Sequence, residues 1–162
     1  MEQLIVRLAD GDLLPEKVVY LCTSDKIENM ADKITPRSPN FGLFVALNAQ
    51  HVTDDSILKA AKRLLSKGLA CLCAWGPDCK RVHDLFDVAA REINDELSGN
   101  NVIMTTWHSD ESIEEALGFF IHCEFVTEKF EKTCKDWIIA SICNSEWEQL
   151  IRSRTASISV PD

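Results

Sequence analysis

Four short runs of this chain are almost unbroken in apolar residues: Lys17-Val18-Val19-Tyr20-Leu21-Cys22, Phe41 to Leu47, Leu69 to Trp75 and Asn101 to Trp107. A strand with one wet face alternates apolar and polar residues, whereas a run without alternation marks a strand covered on both faces, as in a parallel sheet. Parallel neighbours cannot be joined by a tight turn; they need a crossover, normally a helix. The stretches between the runs have that character. Asp54 to Lys67 sets Ile57, Leu58, Ala61, Leu64 and Leu65 on one stripe, with Thr53 or Asp54 as its cap and Gly68 just past its end. Pro77 to Leu97 does the same with Val82, Leu85, Phe86, Ala89, Ala90, Ile93 and Leu97, and leaves through Ser98-Gly99-Asn100-Asn101.

Beyond the fourth run, Ser112 to Ile121 reads as a helix opened by Asp110 and Glu111. Glu128 to Ile151 reads as one or two more helices carrying Phe130, Cys134, Trp137, Ile138, Ile142, Trp147 and Ile151. Arg152 to Asp162 reads as a flexible tail, leaving residues 1–151 as one domain; 162 residues suit a single core. There is no internal repeat, low-complexity tract or linker. The expected fold is α/β in three layers: a mostly parallel sheet of four strands or slightly more between helices, Rossmann-like or flavodoxin-like.

With 17 Lys and Arg against 26 Asp and Glu, the chain carries a net charge of −9. Binding to phosphate backbones is driven by clustered cations, so nucleic acid is excluded as the main partner, and an anionic membrane surface is disfavoured on the same ground. No apolar run reaches the ~20 residues of a membrane span, and the first residues lack the pattern of a signal peptide, so a cytoplasmic location is expected. The seven cysteines are too many and too odd in number for a disulfide framework. Cys22, Cys71, Cys73, Cys123 and Cys143 sit in apolar runs and read as reduced core thiols.

In open parallel sheets ligands bind beyond the carboxyl ends of the strands. The four exits are Thr23-Ser24-Asp25, Asn48 to His51, Trp75 to Cys79 and Thr105 to Ser109, so Ser24, His51, Cys79 and His108 are expected along one edge. Cys79 in the first turn of a helix is placed where unpaired backbone N–H groups favour a thiolate, with His83 four residues on. Cys79 as nucleophile with His83 or His108 as base is the catalytic candidate, and backbone donors of the Gly76 to Asp78 turn would serve an oxyanion. The same residues with His51 or an Asp could hold zinc, but no fixed spacing supports it, so no metal and no cofactor are assigned. Asp25, Asp78, Asp84 and Asp87 are weighed as a magnesium pocket and read as acids favoured near helix starts. Dinucleotide, P-loop and α/β-hydrolase turns are absent from the sequence.

The stretch Cys71 to Lys80, with Trp75-Gly76-Pro77-Asp78-Cys79-Lys80, resembles the thioredoxin active-site segment, where a strand runs through Trp-Cys-Gly-Pro-Cys-Lys into a helix. Only Cys79 lies in the turn here, and no proline precedes the following strand; dithiol exchange needs a second thiol beside the first, so the activity does not carry over. A broader likeness covers about half the chain. Cys73 to Cys79, Thr105-Thr106-Trp107-His108 and the acidic segment Asp110 to Leu117 are similar to a small bacterial family of uncharacterised α/β domains, which implies a fold and a bacterial source but no activity.

Trp75 and Trp107 close equivalent strand ends and offer large rings with one polar N–H each, beside Asp110, Glu111, Glu114 and Glu115. Segment 109–136 holds eight acidic residues against three basic ones. These features point to an intracellular, non-catalytic interaction domain whose partner is another protein with a basic surface. By analogy, an immunity protein or accessory subunit of a bacterial conflict or defence system fits. The alternative is a Cys-dependent hydrolase or transferase working through Cys79.

Overall fold

The computed structural model of the chain describes residues 1–4, 17–93, 102–122 and 126–158. In chain order the elements are β1 (Glu2–Leu4), β2 (Val18–Ser24), α1 (Ile27–Lys33), β3 (Asn40–Ala46), α2 (Asp54–Ser66), β4 (Leu69–Trp75), α3 (Cys79–Ile93), β5 (Met104–His108), α4 (Ile113–His122), a 3-10 turn (Glu128–Phe130), β6 (Cys134–Ile142) and α5 (Ser145–Ile158). The strands form one sheet in the order β1-β2-β6-β3-β4-β5, parallel throughout except for β1, which runs antiparallel along β2. The doubly wound α/β reading of the buried runs is therefore correct, and the sheet is larger than four strands.

The chain climbs from β2 through β3, β4 and β5 with α1, α2 and α3 on one face. It then returns on the other face through α4 to insert β6 between β2 and β3, and ends in α5 beside α4. One core packs Phe41, Leu43, Ile57, Leu64 and Phe86 under α1–α3; the other packs Phe44, Leu117, Phe120, Trp137 and Ile139 under α4 and α5. Ring centroids of Phe120 lie 5.7 Å from Phe44 and 5.0 Å from Trp137, so three aromatics interlock across β3, β6 and α4. Gly42 makes room for this: a Cβ there would stand 2.9 Å from both Cys71 Sγ and the Trp137 ring.

Local chemistry explains the helix ends. Thr53 is the α2 cap, its hydroxyl accepting from Ser56 N–H at 3.2 Å, and Gly68 leaves the helix at φ 99°. Ser112 and Glu115 form a reciprocal capping box for α4: Glu115 N–H donates to Ser112 Oγ at 3.2 Å and Ser112 N–H to Glu115 Oε2 at 2.8 Å. The exit read at Ser98 to Asn101 and the thiol of Cys123 lie outside the described residues.

Two readings need correction. The helix expected over Glu128 to Ile151 is a 3-10 turn, the strand β6 and the first half of α5, so Trp137 is a sheet residue and only Trp147 is helical. Cys134, Trp137, Ile138 and Ile142 fall at helical spacing. Trp137-Ile138-Ile139-Ala140 is equally the short apolar run of a central strand, buried on both faces from Asp136 to Ile142. The tail expected from Arg152 continues α5 through Ile158, where buried Thr155 donates its hydroxyl to the Ile151 carbonyl at 2.8 Å.

Candidate functional site

The carboxyl ends of the five parallel strands lie along one edge of the molecule, and two structures are built there. The first is the β4–β5 corner. The turn that leaves β4 uses two left-handed residues, Gly76 (φ 112°) and Asp78 (φ 63°). A side chain at Gly76 would run into the Leu47 carbonyl oxygen at 2.5 Å, so only glycine lets this turn lie on the β3 exit. Leu47 N–H donates to the Trp75 carbonyl at 3.1 Å and Ala49 N–H to the Pro77 carbonyl at 2.9 Å. Arg81, one turn into α3, completes the clamp. Its guanidinium donates to the carbonyls of Ala49 and Val52 and pairs with Asp54 at 2.6 Å and Asp78 at 2.7 Å. The Trp-Gly-Pro-Asp segment is thus a device that fixes the β3–α2 loop.

The catalytic candidates do not assemble in the way their spacing suggested. Cys79 opens α3 but is only 1% exposed, and burial pushes its thiol up; N–H groups of His108, Cys79 and Lys80 pull it the other way and do not prevail. His83 lies on the α3 face of the sheet, its ring packed at a tilt of 58° against Trp107 with centroids 4.6 Å apart and Nδ1 3.0 Å from Asp84. His108 belongs to the opposite face: its Nδ1 is 2.8 Å from Glu111 Oε2, and its ring packs on Phe119 of α4 at 4.8 Å. Successive strand residues point to opposite faces, and Trp107 and His108 are successive. Among the described residues no three His, Cys, Asp or Glu side chains gather into a group fit for a metal ion.

The same alternation separates the two tryptophans. Trp75 is level with His108 and Trp107 with Ala74 in the β4–β5 register. Trp75 turns to the α4–α5 side, donates its indole N–H to the Glu111 carbonyl at 2.9 Å and meets Trp147 edge-on at 5.0 Å. Trp107 is 43% exposed on β5, the edge strand. It is held all the same: His83 packs against it at a tilt, Lys80 Nζ stands 5.4 Å from its ring centroid, and Asp87, near His83, accepts from Thr105 two residues along β5 at 2.7 Å. Of the acids expected beside it, Asp110 and Glu111 are exposed, Glu114 is half-buried, and Glu115 is bound in the α4 cap.

The second structure is a crevice of about 560 Å³ over the end of β6, between the β2 and β3 exits. The neighbours β2 and β3 send their chains to one face, into α1 and α2, while β6 sends its chain to the other, into α5. Diverging connections leave a gap, which is where ligands sit in folds of this class. Asp25, Asn48 and His51 line it, as the strand exits led one to expect, together with Cys143, Asn144 and Trp147 from an exit hidden by the misread strand. Cys143, expected in the core, is exposed at φ 52° in the turn between β6 and α5. Its N–H donates to the Ser24 carbonyl at 2.7 Å, and Asn144 caps α5 by accepting from Trp147 N–H at 3.0 Å. The other cysteines among the described residues are buried, without disulfides.

A family model covers residues 17–158, from the start of β2 to the end of α5, and so includes both structures. The chain belongs to the DUF7684 family, a domain of unknown function. The resemblance to a small uncharacterised family, carried by the β4 turn and the β5 exit, is thereby shown. No curated protein matches the chain. No helix among the described residues of this family member is long and apolar enough to cross a membrane.

Proposed function

We propose that the chain is an intracellular interaction domain that presents the β4–β5 corner, with Trp107 at its centre, to another protein bearing a basic surface. The observation that carries this reading is the state of Trp107: widely exposed yet fixed from behind by His83 and Lys80. A rigid, accessible aromatic gives a partner a large contact area at small cost in side-chain entropy, which is why tryptophan recurs as an interface anchor. Its surroundings set the sign of the partner. Beyond the end of β5 the chain carries four acids and no Lys or Arg between His108 and His122, the exposed Asp110 and Glu111 among them. On the face of Trp107 itself Lys80 and His83 stand against Asp84 and Asp87, and Asp84 is held below the usual carboxylate range by the Lys80 ammonium and then by His83. Rim charges of this kind steer association and select partners more than they tighten binding. An immunity protein or accessory subunit of a bacterial conflict or defence system remains the setting that suits a small acidic domain of this kind.

The test compares affinity capture by the native chain, by Trp107→Ala and by Asp110→Lys, from extracts of the source cells. A specific partner held by the native chain is expected to be lost with Trp107→Ala and to be weakened, with less dependence on salt, by Asp110→Lys. A partner retained equally by all three proteins would refute the assignment of this corner.

A further inference from the structure

We infer that the crevice over the end of β6 is a binding site for a small organic cation, an amine or guanidinium group on a short aliphatic body. This goes beyond the proposed partner at Trp107 and does not depend on it. Size and place come first: about 560 Å³ at the point where the chain connections part suits a metabolite-sized molecule. The floor is apolar, with Leu47 and Ile142 buried at the strand ends, and Trp147 contributes an aromatic wall from α5.

The charge then decides which molecule fits. Helix starts normally attract anions, but the first turns around this crevice already carry Glu28 in α1, Asp54 and Asp55 in α2, and Glu146 and Glu148 in α5. Of these, Glu28 lines the crevice itself, and so does Asp25. The Ser56 hydroxyl holds Glu28 below the usual carboxylate range and the Asn29 side-chain amide does the same for Asp25, so both stay ionised in mildly acidic solution. One cationic residue, Lys26 beside Asp25, faces the same space and opposes a cationic ligand, and the His51 ring stands on the opposite lip; both side chains are exposed. An ammonium or guanidinium group would sit between Asp25 and Glu28, with its aliphatic chain across Leu47 and Ile142 towards Trp147. The lip that carries Asn48 and His51 is the loop clamped by Arg81, so that wall is already in place before a ligand arrives.

Titration of the isotopically labelled chain with agmatine and with butylamine, against butyrate as the charge-reversed control, tests this by NMR. Saturable shifts are expected for the Trp147 indole and for the amides of Asn48 and Asn144 with both cations and not with butyrate. Affinity should fall about tenfold or more in Asp25→Asn/Glu28→Gln and rise in Lys26→Ala, which removes the opposing charge. Saturating agmatine should also slow iodoacetamide labelling of Cys143, which opens on the same crevice. The inference is overturned if no saturable shift appears up to millimolar concentrations, if butyrate produces the same shifts, or if neither Glu28→Gln alone, the double variant nor Lys26→Ala changes the affinity. Trp107→Ala should leave agmatine binding unchanged, which separates failure of this site from failure of the partner surface.

Discussion

Trp75 and Trp107 show how one position in a register decides what a residue can do. Both close an apolar run and are equivalent in the sequence, but Trp75 is the last residue of β4 and Trp107 the last but one of β5. Because their registers differ by one residue, one ring closes the core between α4 and α5 and the other faces solvent. Trp75→Ala removes the packing on Trp147 and the bond to the Glu111 carbonyl, and is expected to cost about 3 kcal/mol in urea denaturation. Trp107→Ala should cost less than about 1 kcal/mol, as exposed positions do. Comparable losses in the two variants would show that Trp107 serves packing. Cys79 and Cys143 make the opposite pair: the thiol that a helix start seemed to activate is buried, and the one assigned to the core is exposed. Neither outcome was legible, since burial depends on what covers a turn and left-handed backbone at a non-glycine residue leaves no mark in composition.

At the scale of elements, the strands that could be read were those whose apolar runs have no competing helical explanation. β2, β3 and β4 are legible within two residues because Val, Leu, Phe and Cys follow one another without a polar stripe, and β5, which is Met-Thr-Thr-Trp-His, is legible through Val102 and Ile103 just ahead of it. β6 was lost because Trp137, Ile138 and Ile142 satisfy helical and strand spacing alike, and with it went the exit that completes the crevice. The turn after β4 was legible as a helix start through Gly76 and Pro77, while its role as a clamp needed the third dimension, since Arg81 reaches Ala49 and Val52 across a gap of about thirty residues. Arg81→Met keeps the aliphatic stem and removes the donors. Amide exchange at Ala49 and Val52 is expected to accelerate in this variant while that of the central strands is unchanged. Unaltered exchange at both sites would mean that the backbone bonds alone hold the loop.

For the whole molecule, five parallel strands with two unequal helical layers put both built sites on one edge, and the sheet beneath them is rich in buried thiols, from Cys134 at the start of β6 to Cys79 at the start of α3. Burial pushes Cys134 up to about 12 and raises Cys22 and Cys79 as well. An unfolded thiol ionises near ~8.5. The folded chain therefore holds protons that the unfolded chain releases, and stability that is fully present below that pH falls as pH rises, for Cys134 by about 1.4 kcal/mol per pH unit until about 12, with Cys22 and Cys79 adding in the same direction. Urea midpoints measured from pH 8 to 11 should decline, and the decline should be shallower in Cys134→Ala. A flat profile in the native chain would contradict burial of these groups.

The central claim is that the exposed corner around Trp107 meets another protein, and a photo-crosslinking amino acid placed at that position tests it most directly. A second chain carries the same group in place of Lys135, exposed at the opposite end of the sheet. Irradiation in the source cells should yield a discrete adduct from position 107 that excess native chain suppresses, and none from position 135. Adducts that are the same from both positions, or an absence of any from position 107 in a chain that folds normally, would contradict the account.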